Sequence, residues 1–328
     1  MTYEEAKTYL ADCNQYSGEF SVEPIRNLLS LLGNPQDQLT FVHIAGTNGK
    51  GSTATMIKNI LKRKYKVGLF ISPFIISFNE RIEINDNYIS DNDVLKYINY
   101  LYDFSEKYQS KYNDVIPFFE LTLLMALLYF DDQNIDYAVI ECGLGGRLDS
   151  TNFLKSDLSI ITNVGYDHMA QLGDTLEEIS YHKMGIIKEN SISLVGVDES
   201  LLNSFISYAN KMNTKLIWVN NNIKDINTFN CTSFKYKDIS YKTNLLGDYQ
   251  AFNASLAIEA VNYFDNSFTV DEINDSLMNT FHPGRLEHIS DKPLFFIDGA
   301  HNVHAMNALI SFLKKYNNKK IHILFTAL

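Results

Sequence analysis

The chain has little cysteine: Cys13, Cys142 and Cys231 are the only three among 328 residues, far apart and with no Cys-x-x-Cys pair. Neither a disulfide framework nor a cysteine zinc site is expected, and a reducing, cytoplasmic setting fits. Proline (6) and glycine (16) are too sparse for a collagen-like or linker-dominated chain. Net positive charge is also missing, since 28 Lys and Arg face 39 Asp and Glu for a balance of −11. No overall basic field exists to hold a nucleic-acid backbone, so no nucleic-acid partner is expected. Any anionic ligand must instead be captured by a local cluster of donors. Long apolar runs are absent as well. The greasiest stretch, Ile116 to Phe130, is interrupted by Glu120 and too short to span a bilayer, so it reads as a buried helix with no membrane role. The start, Met-Thr-Tyr-Glu-Glu-Ala-Lys, is polar and acidic, unlike a signal peptide.

What is present is an ordinary globular composition, 45% hydrophobic and 20% charged, at a length that suggests about two domains. Short β-branched runs alternate with helical stretches, the signature of parallel βα units buried on both faces. Strands are predicted at 39–45, 67–71, 136–140, 158–162, 191–197 and 215–219, with a further strand at 294–297 and another at 321–325. Helices are predicted at 53–64, 93–108 and 175–188, the last opened by a capping box from Thr175 to Glu178. Residues 220–247 are polar, aromatic and alternating, and read as a short antiparallel insertion. No internal repeat is visible. The break at His282-Pro283-Gly284-Arg285 is a candidate domain boundary.

The strongest chemical signal is the run from Phe41 through Gly46-Thr47-Asn48-Gly49-Lys50-Gly51-Ser52-Thr53. An apolar strand, a glycine-rich loop with one lysine and a hydroxyl, and a helix follow one another. Successive backbone N–H groups and the helix N-terminus make an anion nest, Lys50 adds a charge, and Ser52 can reach a magnesium ion. The spacing departs from the strict Walker pattern, because the first glycine would fall at Ile44 and Gly51 separates the lysine from Ser52. A phosphate-binding loop is predicted. In an open parallel sheet, ligands bind beyond the carboxyl ends of the strands. Ser72, Glu141 and His168 each follow a predicted strand, so they and Lys50 are expected at one edge, where they would suit magnesium completed by phosphate oxygens and water. Taken singly, Ser72 reads equally well as a turn cap and His168 as a structural histidine. Residues 141–149, Glu-Cys-Gly-Leu-Gly-Gly-Arg-Leu-Asp, invite a dinucleotide reading, but Leu148 stands where the third glycine is needed. His301 and His304 have metal-pair spacing without a carboxylate partner, which favours a structural or substrate-facing role.

Together these motifs resemble the folylpolyglutamate synthase/dihydrofolate synthase family of the Mur ligase group. The resemblance rests on residues 43–52, Ser-Pro-Phe with Phe-Asn-Glu-Arg-Ile (72–82), Phe-Phe-Glu (118–120) and residues 141–149. It continues through residues 162–168, 182–188, His-Pro-Gly-Arg (282–285) and Asp-Gly-Ala-His-Asn (298–302), covering nearly the whole chain. It implies an α/β fold: a P-loop-containing, mostly parallel sheet flanked by helices over residues 1–286. The beginning of a smaller Rossmann-like domain would follow at 287–328, incomplete beside the family's longer one. It implies a cytoplasmic, monomeric ligase that joins glutamate to dihydropteroate or folate using ATP, the alternative being a member that binds ATP and pterin without completing ligation. Thr47, Asn48, Gly49, Lys50, Gly51 and Ser52 would hold ATP phosphates, with Asn253, Arg285 and Asp298 also on the nucleotide. Ser72, Glu141, His168 and a carbamylated Lys183 would hold two magnesium ions; Lys50, Lys183, His168 and Arg285 would be catalytic. Phe119, Glu120, Leu148, Asp149 and Ser150 would face the pterin, and Asp298 with His301 the glutamate. Phe74, His182, Met184 and Val303 depart from the family's usual residues.

Overall fold

The computed structural model describes residues 1–13, 21–316 and 320–326. Its elements run α1 (Tyr3–Asp12), α2 (Glu23–Leu31), β1 (Thr40–Ala45), α3 (Lys50–Leu61), β2 (Val67–Phe70), β3 (Ile82–Ile84) and β4 (Asn87–Tyr88). They continue with α4 (Asp91–Tyr112), α5 (Phe118–Asp132), β5 (Tyr137–Glu141), β6 (Leu158–Ile161), α6 (Met169–Leu172), α7 (Leu176–Met184) and β7 (Ile192–Val195). Then come α8 (Glu199–Lys211), β8 (Lys215–Trp218), β9 (Ile223–Thr228), β10 (Thr232–Tyr236), β11 (Ile239–Thr243), α9 (Tyr249–Phe264) and α10 (Val270–Met278). The hairpin β12 (Glu287–Asp291) and β13 (Leu294–Ile297) and helix α11 (Val303–Leu313) complete the set.

Eight strands form one sheet in the order β4-β3-β2-β5-β1-β6-β7-β8. Pairing is parallel from β2 to β8, whereas β3 and β4 add antiparallel at one edge. The strand carrying the glycine-rich loop is therefore central, flanked by β5 and β6. Side chains alternate across a strand, and β1 shows it: Phe41 and Ala45 pack with the helices on one face, Val42 and Ile44 with α3 and α9 on the other. Both faces are covered, which is why the strands read as unbroken apolar runs. Helix α3 is buried from Ser52 to Leu61 because it lies between the sheet and α9. The insertion β9–β11 is an antiparallel three-stranded sheet over α9, as its alternation predicts. Beyond it, β12, β13 and α11 pack a small apolar cluster of Leu286, Phe296 and Phe312 against Leu246.

Several boundaries differ from expectation. Helix α3 begins at Lys50, three residues early, because Gly49 adopts the left-handed N-cap conformation (φ 82°) and lets the helix start inside the loop. The third predicted helix stops at Met184, while its capping box forms as read. Residues 321–325 form no strand: they are exposed and irregular, and no neighbour among the described residues pairs with them.

Candidate functional site

At the carboxyl ends of the central strands lies a cavity of about 480 Å³. Its floor is the glycine-rich loop, residues 46–52, which joins β1 to α3. Gly46 is required there: a Cβ would collide with the Thr162 side chain, whose hydroxyl donates to the Asn48 carbonyl at 2.6 Å. A Cβ on Gly49 would strike the Asn253 side chain of α9, which places Asn253 against the loop. Ser52 is buried under the first turn of α3. Lys50 folds back so that Nζ donates to the Gly46 carbonyl at 3.1 Å and lies 3.9 Å from Glu141 Oε1.

The four side chains expected at one edge, Lys50, Ser72, Glu141 and His168, line this cavity, and Lys183 and Arg285 line it as well. Glu141 ends β5 and is almost fully buried; its Oε2 accepts the Ser72 N–H at 3.0 Å. Burial pushes its carboxyl up, against the opposing pull of Lys50, the Ser72 amide, Arg285 and Arg81. Lys183, on the last turn of α7, is only 2% exposed. Burial, reinforced by the charge of Lys50, lowers it to about 7. His168 stands apart in kind: its side chain is 55% exposed and 3.9 Å from Asp167. Among the described residues no three His, Cys, Asp or Glu side chains cluster tightly enough to hold a metal by themselves.

The lining also includes Phe118, Phe119, Glu120, Leu148, Asp149 and Ser150. The Phe119 ring meets Phe70 edge-on at 5.7 Å. Ser150 Oγ donates to Glu120 Oε1 at 2.6 Å, and burial raises the Glu120 carboxyl. Burial likewise raises Asp149, although Leu144 N–H, Thr151 N–H and the Thr151 hydroxyl all donate to its carboxylate. His301 reaches the rim, 3.8 Å from Asp167. Asp298 does not line the cavity; its carboxylate accepts the Leu286 and Ala300 N–H groups and fixes the turn that carries Arg285 and His301.

Three parts of the site were not singled out by the sequence reading. Arg81 lines the cavity, sandwiched between Phe74 and Phe118 at 5.3 and 5.0 Å. Glu80 gathers the N–H groups of Ile75, Ile76 and Ser77 at 2.8, 3.0 and 2.8 Å, shaping the loop behind Ser72. Asn302, the N-cap of α11, exchanges hydrogen bonds with Asn48 of the glycine-rich loop and donates to Asp167 at 2.9 Å. Glu80 and Asn302 sit inside quoted motifs, yet only their contacts show what they do.

Strand, glycine-rich loop and helix set into this sheet place the chain in the Mur ligase class, and the Mur ligase middle domain matches residues 44–261. More narrowly, the chain belongs to the dihydrofolate synthase/folylpolyglutamate synthase family. It is 33% identical to the dihydrofolate synthase/folylpolyglutamate synthase of Bacillus subtilis, covering 99% of this chain and 80% of that one. The folylpolyglutamate synthase of Lacticaseibacillus casei is also 33% identical, over 99% of this chain and 79% of its own. A solved FPGS–AMPPCP–folate complex superposes with a TM-score of 0.92 at 32% identity, covering 98% of this chain and 82% of the other. No helix among the described residues is long and apolar enough to cross a membrane.

Proposed function

We propose that this chain uses ATP to join L-glutamate to the carboxylate of dihydropteroate, of a (poly)glutamylated tetrahydrofolate, or of both. The observation that carries the reading is that one cavity unites the phosphate-binding loop with the Phe119–Glu120–Asp149 wall. Relatives named for both activities, and one solved with an ATP analogue and folate, support it. Nothing in the cavity favours binding of ATP and pterin without ligation.

The chemistry follows from charge. A substrate carboxylate oxygen attacks the γ-phosphorus, ADP departs, and an acyl phosphate remains. The amine of glutamate then attacks the acyl carbon, phosphate leaves, and the amide nitrogen loses a proton. Residues 47–52 would cradle the phosphates, helped by Asn253, while Lys50 and Arg285 offset charge on the transferring group, where positioning and electrostatics dominate. Asp298 would act through Arg285 and His301, the latter at the glutamate side. On this reading residues 1–286 would form the ATP- and folate-binding domain and residues 287–328 would lie on the glutamate side, in a cytoplasmic monomer.

The donors suit magnesium: Glu141, the Ser72 hydroxyl and His168 offer few protein ligands, and this ion keeps waters and substrate phosphates in its shell. Such an ion would neutralise phosphate charge when bound. Lys183, buried and lowered to about 7 so that a large share of it is neutral near that pH, suits carbamylation, in which its amine adds CO₂, releases a proton and becomes an anion beside Lys50. The test is ADP release with dihydropteroate or tetrahydrofolate, with and without glutamate and Mg²⁺. Glutamate-dependent ADP is expected; its absence with every pterin overturns the reading.

A further inference from the structure

We propose that His43 and Thr151 are positioning residues that hold the Asp149 carboxylate in place for the pterin, linking the nucleotide strand to the substrate wall. This rests on the reading above, in which Asp149 meets the pterin. His43 is a fully buried imidazole in the middle of β1, a strand otherwise filled by apolar side chains and threonine. An aliphatic residue would satisfy the core there. The imidazole instead reaches Thr151 Oγ1 with Nε2 at 2.8 Å, and Thr151 Oγ1 lies 2.5 Å from Asp149 Oδ1.

The direction of this chain is fixed by its acidic end. Both Asp149 oxygens accept backbone N–H groups and Oδ1 also accepts the Thr151 hydroxyl, whose lone pair is left to accept from His43 Nε2–H. The tautomer follows: Nδ1 carries no proton, and it has no partner among the described residues. Burial lowers the imidazole to about 3, so it stays neutral and has one N–H to give. Nε2 also lies 3.0 Å from Cys142 Sγ. That thiol is buried, burial pushes it further up, and a protonated sulfur is a weak acceptor beside the hydroxyl. The Thr151 N–H fixes Oδ1 from a second direction at 2.9 Å and the Leu144 N–H fixes Oδ2 at 2.6 Å. Asp149 is thus held at both oxygens while it lines the cavity. Its aim depends on a histidine that also sits three residues before Gly46 of the phosphate loop.

The experiment compares wild type, Thr151→Val, Thr151→Ser, His43→Leu and His43→Gln for kcat and for KM of pterin and ATP. Thr151→Val and His43→Leu are expected to raise the pterin KM on the order of tenfold, the worth of one aligned hydrogen bond to a charged group. The ATP KM should stay within about twofold of wild type on the same scale. Thr151→Ser and His43→Gln, which keep a donor in the same place, should recover most of the pterin KM. A purely structural role predicts the opposite pattern: lower thermal stability with both KM values moving together or neither moving. If Thr151→Val does not fold, Thr151→Ser against His43→Gln and His43→Leu still decides the matter. Unchanged pterin KM in an active His43→Leu enzyme overturns the relay alone. Wild type without pterin-dependent ADP release overturns the functional reading beneath it.

Discussion

Lys183 is a lysine buried at a cost, and its loss should be informative. Unfolded, a lysine holds its proton to about pH 10.4; folded, this one lets go near pH 7 because burial and Lys50 disfavour the ammonium. Between those values the unfolded chain binds more protons, so stability rises with pH across that window. Below pH 7 the full penalty applies, on the order of a few kcal/mol. Lys183→Met is therefore expected to raise the melting temperature at pH 7 in CO₂-free buffer and to flatten its rise between pH 7 and 10, while abolishing ADP release. Thermal scans across that range check it, and an unchanged slope would count against the assignment. A higher melting temperature with ADP release lost is what the proposed role of Lys183 predicts, stability given up for function.

Between elements, Lys58 of α3 and Glu83 of β3 form a buried pair at 2.6 Å. Burial is the first cause of both shifts, lowering Lys58 and raising Glu83, so desolvation outweighs their attraction. Lys58→Met alone should cost about 3–5 kcal/mol, and Lys58→Met with Glu83→Leu should be near neutral, measured by denaturant unfolding. Glu80 offers a second comparison. Glu80→Gln weakens a carboxylate that holds three backbone N–H groups, so amide exchange at Ile75 to Ser77 should quicken and the pterin KM should rise several-fold, the effect of ~1 kcal/mol. These elements also show what the sequence makes legible. The parallel strands and the capping box at Thr175 are local patterns and can be read directly. Strands β3 and β4, three and two residues long, carry too little pattern to be seen and exist through pairing with β2. Residues 321–325 have the pattern and lack a pairing neighbour among the described residues, so apolar character alone did not make a strand. For the site, the glycine-rich loop and its partners at the strand ends follow from general rules, whereas the wall around Asp149 was legible only by family resemblance. Arg81, Glu80 and His43 lie inside the motifs that carry the resemblance, yet neither route gives them a role, because those roles lie in contacts rather than in spacing.

Across the whole molecule, the joint between Asn48, Asn302 and Asp167 connects the glycine-rich loop, the segment after β6 and the N-terminus of α11. Asn302 serves twice, since its side chain also accepts the Ala305 N–H as the cap of α11. Asn302→Ala should cost about 1 kcal/mol in helix capping and loosen the tie to Asn48. Faster amide exchange in α11, together with a raised ATP KM, is the expected readout; a change in α11 with no effect on ATP would confine the joint to stability. The two asparagines lie 254 positions apart. Synthesis at roughly 5–20 residues per second separates their emergence by roughly 10–50 s. Throughout that interval the growing chain carries its glycine-rich loop without the Asn302 anchor, so a central feature of the domain is fastened by a segment made long after it.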